Sequence, residues 1–207
     1  MQISRCFAGL QRWDGAITWS EKGLAHAPGP LQRVTARLWR MELFLRLPRL
    51  GWRAGESRQL DLDPPTTEPG RTFLAEARTT EHLTQAVSEG TAALADFDSL
   101  PAAARQPADE AGLCVDLART AERIWLEQGA LVPPPGSTLG DWGAAPGDAV
   151  PAGDWHPLRL SAHYLRQAEL RAPAGRKASL CLARAWWLRR HRATLQQSLT
   201  PGGPLPS

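Results

Sequence analysis

Five histidines, three cysteines and a few acid pairs are the residues of this 207-residue chain that could ligate a metal or move a proton. His26, His82, His156, His163 and His191 include no His-x3-His pair, and the cysteines form no Cys-x2-Cys, so no convergent ligand set is written into the spacing. His156 and His163 lie two helical turns apart, but Pro157 interrupts the register between them, and each histidine is expected in a satisfied structural or surface role. Nucleophilic catalysis has no Gly-x-Ser-x-Gly to stand on. Gly175-Arg176-Lys177-Ala178-Ser179 has the base and hydroxyl of a phosphate loop, without its upstream glycine and strand. Asp61-Leu62-Asp63 and Asp96-Phe97-Asp98 lack the third ligand and glycine turn of a calcium loop. The sequence therefore predicts no enzyme, no metal site and no cofactor.

Charge and aromatic side chains are what remain for recognition. Net charge is only +3, yet it is unevenly spread. Residues 54–116 are acid-rich, whereas 156–192 carry nine Arg or Lys against Glu169 alone. Within that basic stretch, Trp186-Trp187-Leu188-Arg189-Arg190-His191-Arg192 mixes cations with aromatics, as phosphate backbones and stacked bases require. Arg184, Arg189, Arg190 and Arg192 form the candidate basic patch for nucleic acid, although no helix-turn-helix or zinc-finger spacing accompanies them. A solvated face, or docking onto the chain's own acidic middle, explains the same residues without a partner. Nine tryptophans supply large apolar payloads, each with one donor to satisfy.

Composition narrows the compartment. Cys6, Cys114 and Cys181 are odd in number and far apart, which fits reduced thiols in a cytoplasmic protein. No run approaches the roughly 18 apolar residues of a membrane span, and the N-terminus has no apolar signal region. Arginine supplies nearly all the basic residues and asparagine is absent, a bias of GC-rich bacterial coding sequences.

Periodicity then places the elements. Helices are predicted at about 2–11, 14–27, 30–47, 72–97 and 108–128, forming a domain over 1–132. In the third, Leu31, Val34, Leu38, Met41 and Leu45 draw one apolar stripe, Phe44 and Trp39 widen it, and Pro48 is expected to end it. Phe73, Ala77, Leu83, Val87, Leu94 and Phe97 mark the fourth, and Leu113, Leu117, Ala121 and Ile124, with Trp125 beside them, the fifth. A further short helix is expected near Glu56–Leu60. Residues 133–157 read as a Pro/Gly-rich linker, 158–198 as a basic helical hairpin turning at Ala172-Pro173-Ala174-Gly175, and 199–207 as a disordered tail.

The opening residues resemble a known repeat. Phe7-Ala8-Gly9-Leu10-Gln11-Arg12-Trp13-Asp14-Gly15-Ala16-Ile17 is similar to the end of a tetratricopeptide helix A, its tight turn and the start of helix B. Glu21-Lys22-Gly23-Leu24-Ala25-His26-Ala27-Pro28 resembles the end of helix B with its closing proline. Small Ala16 would let the two helices approach, with Trp13 at the turn. The match covers about the first 28 residues and departs at Gly23 and Ser20, where the family has alanine and an aromatic. Most of a helix A would precede Met1, which leaves room for a fragment of a larger tetratricopeptide-containing regulator or enzyme.

The resemblance implies an all-α fold of tetratricopeptide-like hairpins, as an α-solenoid or an irregular helical bundle. It also implies a protein–protein interaction scaffold that binds a peptide or partner domain through a helical groove. Phe7, Trp13, Trp19 and Trp39 are the expected partner-binding residues, because aromatic anchors carry interface energy when the core does not consume them. A nucleic-acid-associated regulator using the basic hairpin is the alternative. A homo-oligomer is compatible with either, and no membrane partner is expected.

Overall fold

The computed structural model describes residues 1–49, 79–129 and 156–197. The expected helix near 56–60, the linker over 133–155, the tail and the first turns of the helix predicted from residue 72 lie outside the described residues. Within them the fold is all-α, as predicted, with no strand. No helix there is long and apolar enough to cross a membrane. The chain divides into two compact units, 1–105 and 106–207.

The N-terminal unit opens with α1 (Gln2–Gly9) and α2 (Trp13–Ala25). The turn between them falls at residues 10–12, so Trp13 and Asp14 begin α2. Gln11 adopts φ 59°, and the Arg12 N–H reaches back to the Phe7 carbonyl at 2.9 Å. Small side chains then set the approach of the two helices. Ala16 is fully buried, and Ser4 donates its hydroxyl to the Ala16 carbonyl at 2.6 Å. A Cβ on Gly15 would come within 2.4 Å of Phe7 Cδ1, so the ring occupies the space that glycine leaves.

Two long helices follow, α3 (Pro30–Arg49) and α4 (Thr79–Asp98), then a 3-10 turn at Ala102–Ala104. The helix extends through Pro48 to Arg49, which corrects the expected end at Pro48. Helix α3 packs on both α2 and α4. It therefore buries more than one stripe: Val34, Met41 and Phe44, and also Ala36, Leu43 and Leu47. Phe44 and Trp39, which widen the stripe read from sequence, are buried, while that stripe is corrected at Leu31, which is exposed, and at Leu38 and Leu45, which are half-buried. Of the predicted face of α4, Leu83, Val87, Leu94 and Phe97 are buried, and Phe73 and Ala77 lie outside the described residues.

The C-terminal unit contains α5 (Pro107–Glu127), α6 (Pro157–Arg171) and α7 (Ala174–Gln197). Pro107 occupies the first turn of α5 with Asp109 and Glu110 close behind, and Gly129 follows the last turn with φ 81°. His156 caps α6, its Nδ1 accepting the Leu158 N–H at 3.3 Å. Helix α5 packs closely on α6, and α6 on α7. The sequence reading placed α5 with the preceding helices, in a domain ending at 132. Here the division falls at Arg105/Gln106, because the face of Leu113, Leu117, Ala121 and Ile124 is buried in the unit that holds α6. Loop composition marks where chain is irregular, not which helices share a core.

Candidate functional site

The four aromatic residues expected to bind a partner do not converge on a surface. Trp13 is buried, and Trp39 is buried with its indole N–H donating to Ser4 Oγ at 2.8 Å. Arg5 and Arg46 lie 5.2 and 5.7 Å from the Trp39 ring. Both indoles belong to the core of their unit, which corrects their assignment as free anchors. Phe7 is half-buried against Gly15 with the Arg12 guanidinium 5.1 Å from its ring. Trp19 is also half-buried, with Lys22 Nζ 4.6 Å from its ring.

The expected basic patch is divided as well. Arg184 is half-buried and pairs with Glu169 at 2.9 Å. Arg190 Nη1 donates to Glu122 Oε1 at 3.0 Å. The Arg189 guanidinium sits 5.5 Å from the Trp186 ring, and Arg192 is exposed. At roughly 100° per residue, these cations point to different sides of α7 and form no single track.

A different surface emerges where α5 and α7 face each other. Helix α7 is held by a narrow seam, Leu180, Trp187 and His191 at steps of seven and four, and most of its remaining positions are exposed. At one end of the seam, His191 Nε2 lies 2.7 Å from Glu122 Oε1. The His191 ring meets Trp125 edge-on at 5.1 Å and Trp187 at 4.7 Å. This cluster ties α7 to α5. Hydrogen bonding from His191, reinforced by the charges of His191 and Arg190, outweighs burial and holds the Glu122 carboxyl below the ordinary glutamate range.

Beyond the clasp, the two helices leave an open groove of about 670 Å³. Val115 from α5, Leu165 from α6, and Leu180 and Ala183 from α7 supply apolar lining. Trp186 stands at its edge with 58% of its surface exposed, the largest exposed apolar side chain among the described residues. Arg119, Arg176 and Arg190 bring cations, and Asp116 and Glu122 bring the acids. The groove can grip an apolar surface and orient charge around it. Among the described residues, no three His, Cys, Asp or Glu side chains group as metal ligands.

Sequence reasoning missed Glu122, Trp125, Trp187 and His191 as a unit. The only signal was Trp187 and His191 at helical spacing, and nothing in the sequence joined them to a glutamate 69 residues away. Comparison with protein-family models, curated proteins and solved structures returned no match.

Proposed function

We propose that this chain is a non-catalytic protein–protein interaction scaffold whose docking surface is the α5–α7 groove of the C-terminal unit. The observation that carries this reading is Trp186, a largely exposed indole on a groove lined by both apolar and charged side chains. Burying such a ring against water is worth more than burying any other side chain, and tryptophan is enriched among residues that dominate interfaces. The likeness of residues 1–28 to a tetratricopeptide hairpin, and the reduced-thiol cysteine pattern of a cytoplasmic protein, support the same reading.

The test is selection of displayed random peptides on the immobilised full-length chain. Peptides that bind the chain and weaken about tenfold with Trp186→Ala, a loss typical of an interface anchor, are the expected result. Failure to enrich any peptide over an unrelated helical protein would sink the proposal.

A nucleic-acid-associated role has one observation in its favour: α7 carries Arg176, Lys177, Arg184, Arg189, Arg190 and Arg192 and no acid. Arg184 and Arg190 are already paired, which leaves fewer cations for phosphates. Retention on a polyanion column, lost steeply with salt and with Arg189→Glu plus Arg192→Glu, would favour this role. Flow-through at low salt would exclude it.

A further inference from the structure

The groove also constrains what docks in it. Resting on the scaffold reading above, we infer that its occupant is an acidic amphipathic helix from a partner protein.

Length and shape come first. The lining positions on α5 run from Gly112 to Glu122, and those on α7 from Arg176 to Arg190. At 1.5 Å per residue these spans are about 15 and 21 Å, which is three to four turns of a partner helix. The lining residues recur at helical steps on both walls, 112, 115, 116, 119 and 122 on one and 176, 180, 183, 187 and 190 on the other. Two such ridged walls accept a third helix by side-chain interdigitation, with the apolar stripe of the guest turned inward. Val115, Ala183 and the exposed Trp186 meet that stripe, over a floor formed by the edges of the buried Leu165 and Leu180.

Charge chooses the sign of the guest. Glu122 is already answered by Arg190 and His191. Arg119 and Arg176 are exposed and pair with no acidic side chain among the described residues, while Asp116 is the remaining acid of the lining. The surrounding field points the same way. In the described residues of this unit, Arg119, Arg123 and the nine cations of 156–192 stand against Asp109, Glu110, Asp116, Glu122, Glu127 and Glu169. Carboxylates flanking the guest's apolar stripe meet Arg119 and Arg176, whereas a lysine-bearing helix is repelled at the same positions.

The experiment compares two fluorescein-labelled, side-chain-stapled helices of about fourteen residues, matched to the groove length. They share one leucine stripe and carry either Glu or Lys at every other position, and a single-stranded DNA of similar length is the third probe. Binding to the full-length chain is read by fluorescence anisotropy at low and moderate salt. The glutamate helix is expected to bind about tenfold more tightly than the lysine helix, with the gap narrowing as salt rises. Arg119→Glu plus Arg176→Glu should reverse that preference, and Trp186→Ala should weaken the glutamate helix. All three positions are exposed, and circular dichroism checks that each variant keeps its helices. Equal or tighter binding of the lysine helix, preference for DNA, or binding by neither helix overturns the inference. So does a chain dimer that Trp186→Ala dissolves. Displayed peptides that need Trp186 but are not acidic would keep the scaffold reading while overturning the acidic helix.

Discussion

Arg40 donates its Nε–H to Glu89 Oε1 at 2.7 Å across the α3–α4 packing, with both side chains nearly out of solvent. The pair anchors a ladder. Arg37 reaches Glu89 Oε2 at 3.2 Å and Asp96 Oδ2 at 2.8 Å, and Arg33 reaches Asp96 Oδ1 at 2.9 Å. Arginines at positions i, i+4 and i+7 of one helix thus meet acids at i and i+7 of the other. Arg40 also donates to Ser20 Oγ at 3.0 Å, which extends the ladder to α2. Taking such charges out of water is costly, so the arrangement specifies which faces meet rather than adding large net stability.

Glu89→Ala should therefore cost about 3–5 kcal/mol, because Arg40 is left buried and unanswered. Asp96→Ala should cost less, since Arg33 reaches solvent. Replacing both members of the buried pair, Arg40→Met with Glu89→Leu, should recover most of the loss. Urea denaturation of the three variants checks the order, and a single Glu89→Ala loss below about 1 kcal/mol would contradict the argument.

Gly15→Ala forces a Cβ into the Phe7 ring, with approaches of 2.4, 2.7 and 3.0 Å to Cδ1, Cε1 and Cγ. Overpacking of about 1–3 kcal/mol opposes a helix-propensity gain of about 1 kcal/mol, for a net loss. Phe7→Ala should remove the clash, so the double variant is expected to be more stable than the sum of the single losses. Strict additivity in thermal melts would show that the ring does not fill this space.

His82 and His163 are both held below the ordinary histidine range, chiefly by burial, with Arg171 adding to the effect on His163 and Glu81 opposing it on His82. Their unfolded forms therefore bind protons first as pH falls. The stability they protect is complete above about pH 6.5 and declines as pH drops below it toward their folded values. Melting temperature should fall between pH 7.5 and 5.5, and His82→Gln should flatten part of that slope. A flat profile over this interval would count against the burial argument.

Glu122 works lower on the pH scale. Its depressed value makes its contribution complete above about pH 4.3 and lost as pH falls through the folded value. Glu122→Gln should weaken the clasp to His191 and Arg190 by about 1–3 kcal/mol at neutral pH, as expected for bonds to a charged group. It should also remove part of the acid slope below that point. Thermal melts of both proteins from pH 7 to pH 3 separate this window from that of the histidines.

Local pattern was enough for much of this protein. Alternating steps of three and four among apolar residues located the helices, since a half-buried helix needs one continuous apolar stripe. Pro107, Gly129 and the Pro173 turn marked several ends, because proline and glycine act on the backbone they belong to. The small residues at the first turn foretold close approach of α1 and α2, and Ala16 is fully buried there.

What only the tertiary structure decided is where pairs form across long separations. Trp13 and Trp186 are the same residue type, yet one is buried in a core and the other stands at a groove edge. Burial depends on what a neighbouring helix brings, and period alone does not carry that. In sequence the arginines of 184–192 form one basic patch, whereas in the fold Glu122 and Glu169 answer Arg190 and Arg184. Helix α3 hid its second buried face because a helix packed on two neighbours no longer alternates cleanly. Secondary structure follows from interactions within a few residues, whereas the groove and both ion networks depend on side chains 49 to 69 residues apart being packed into contact.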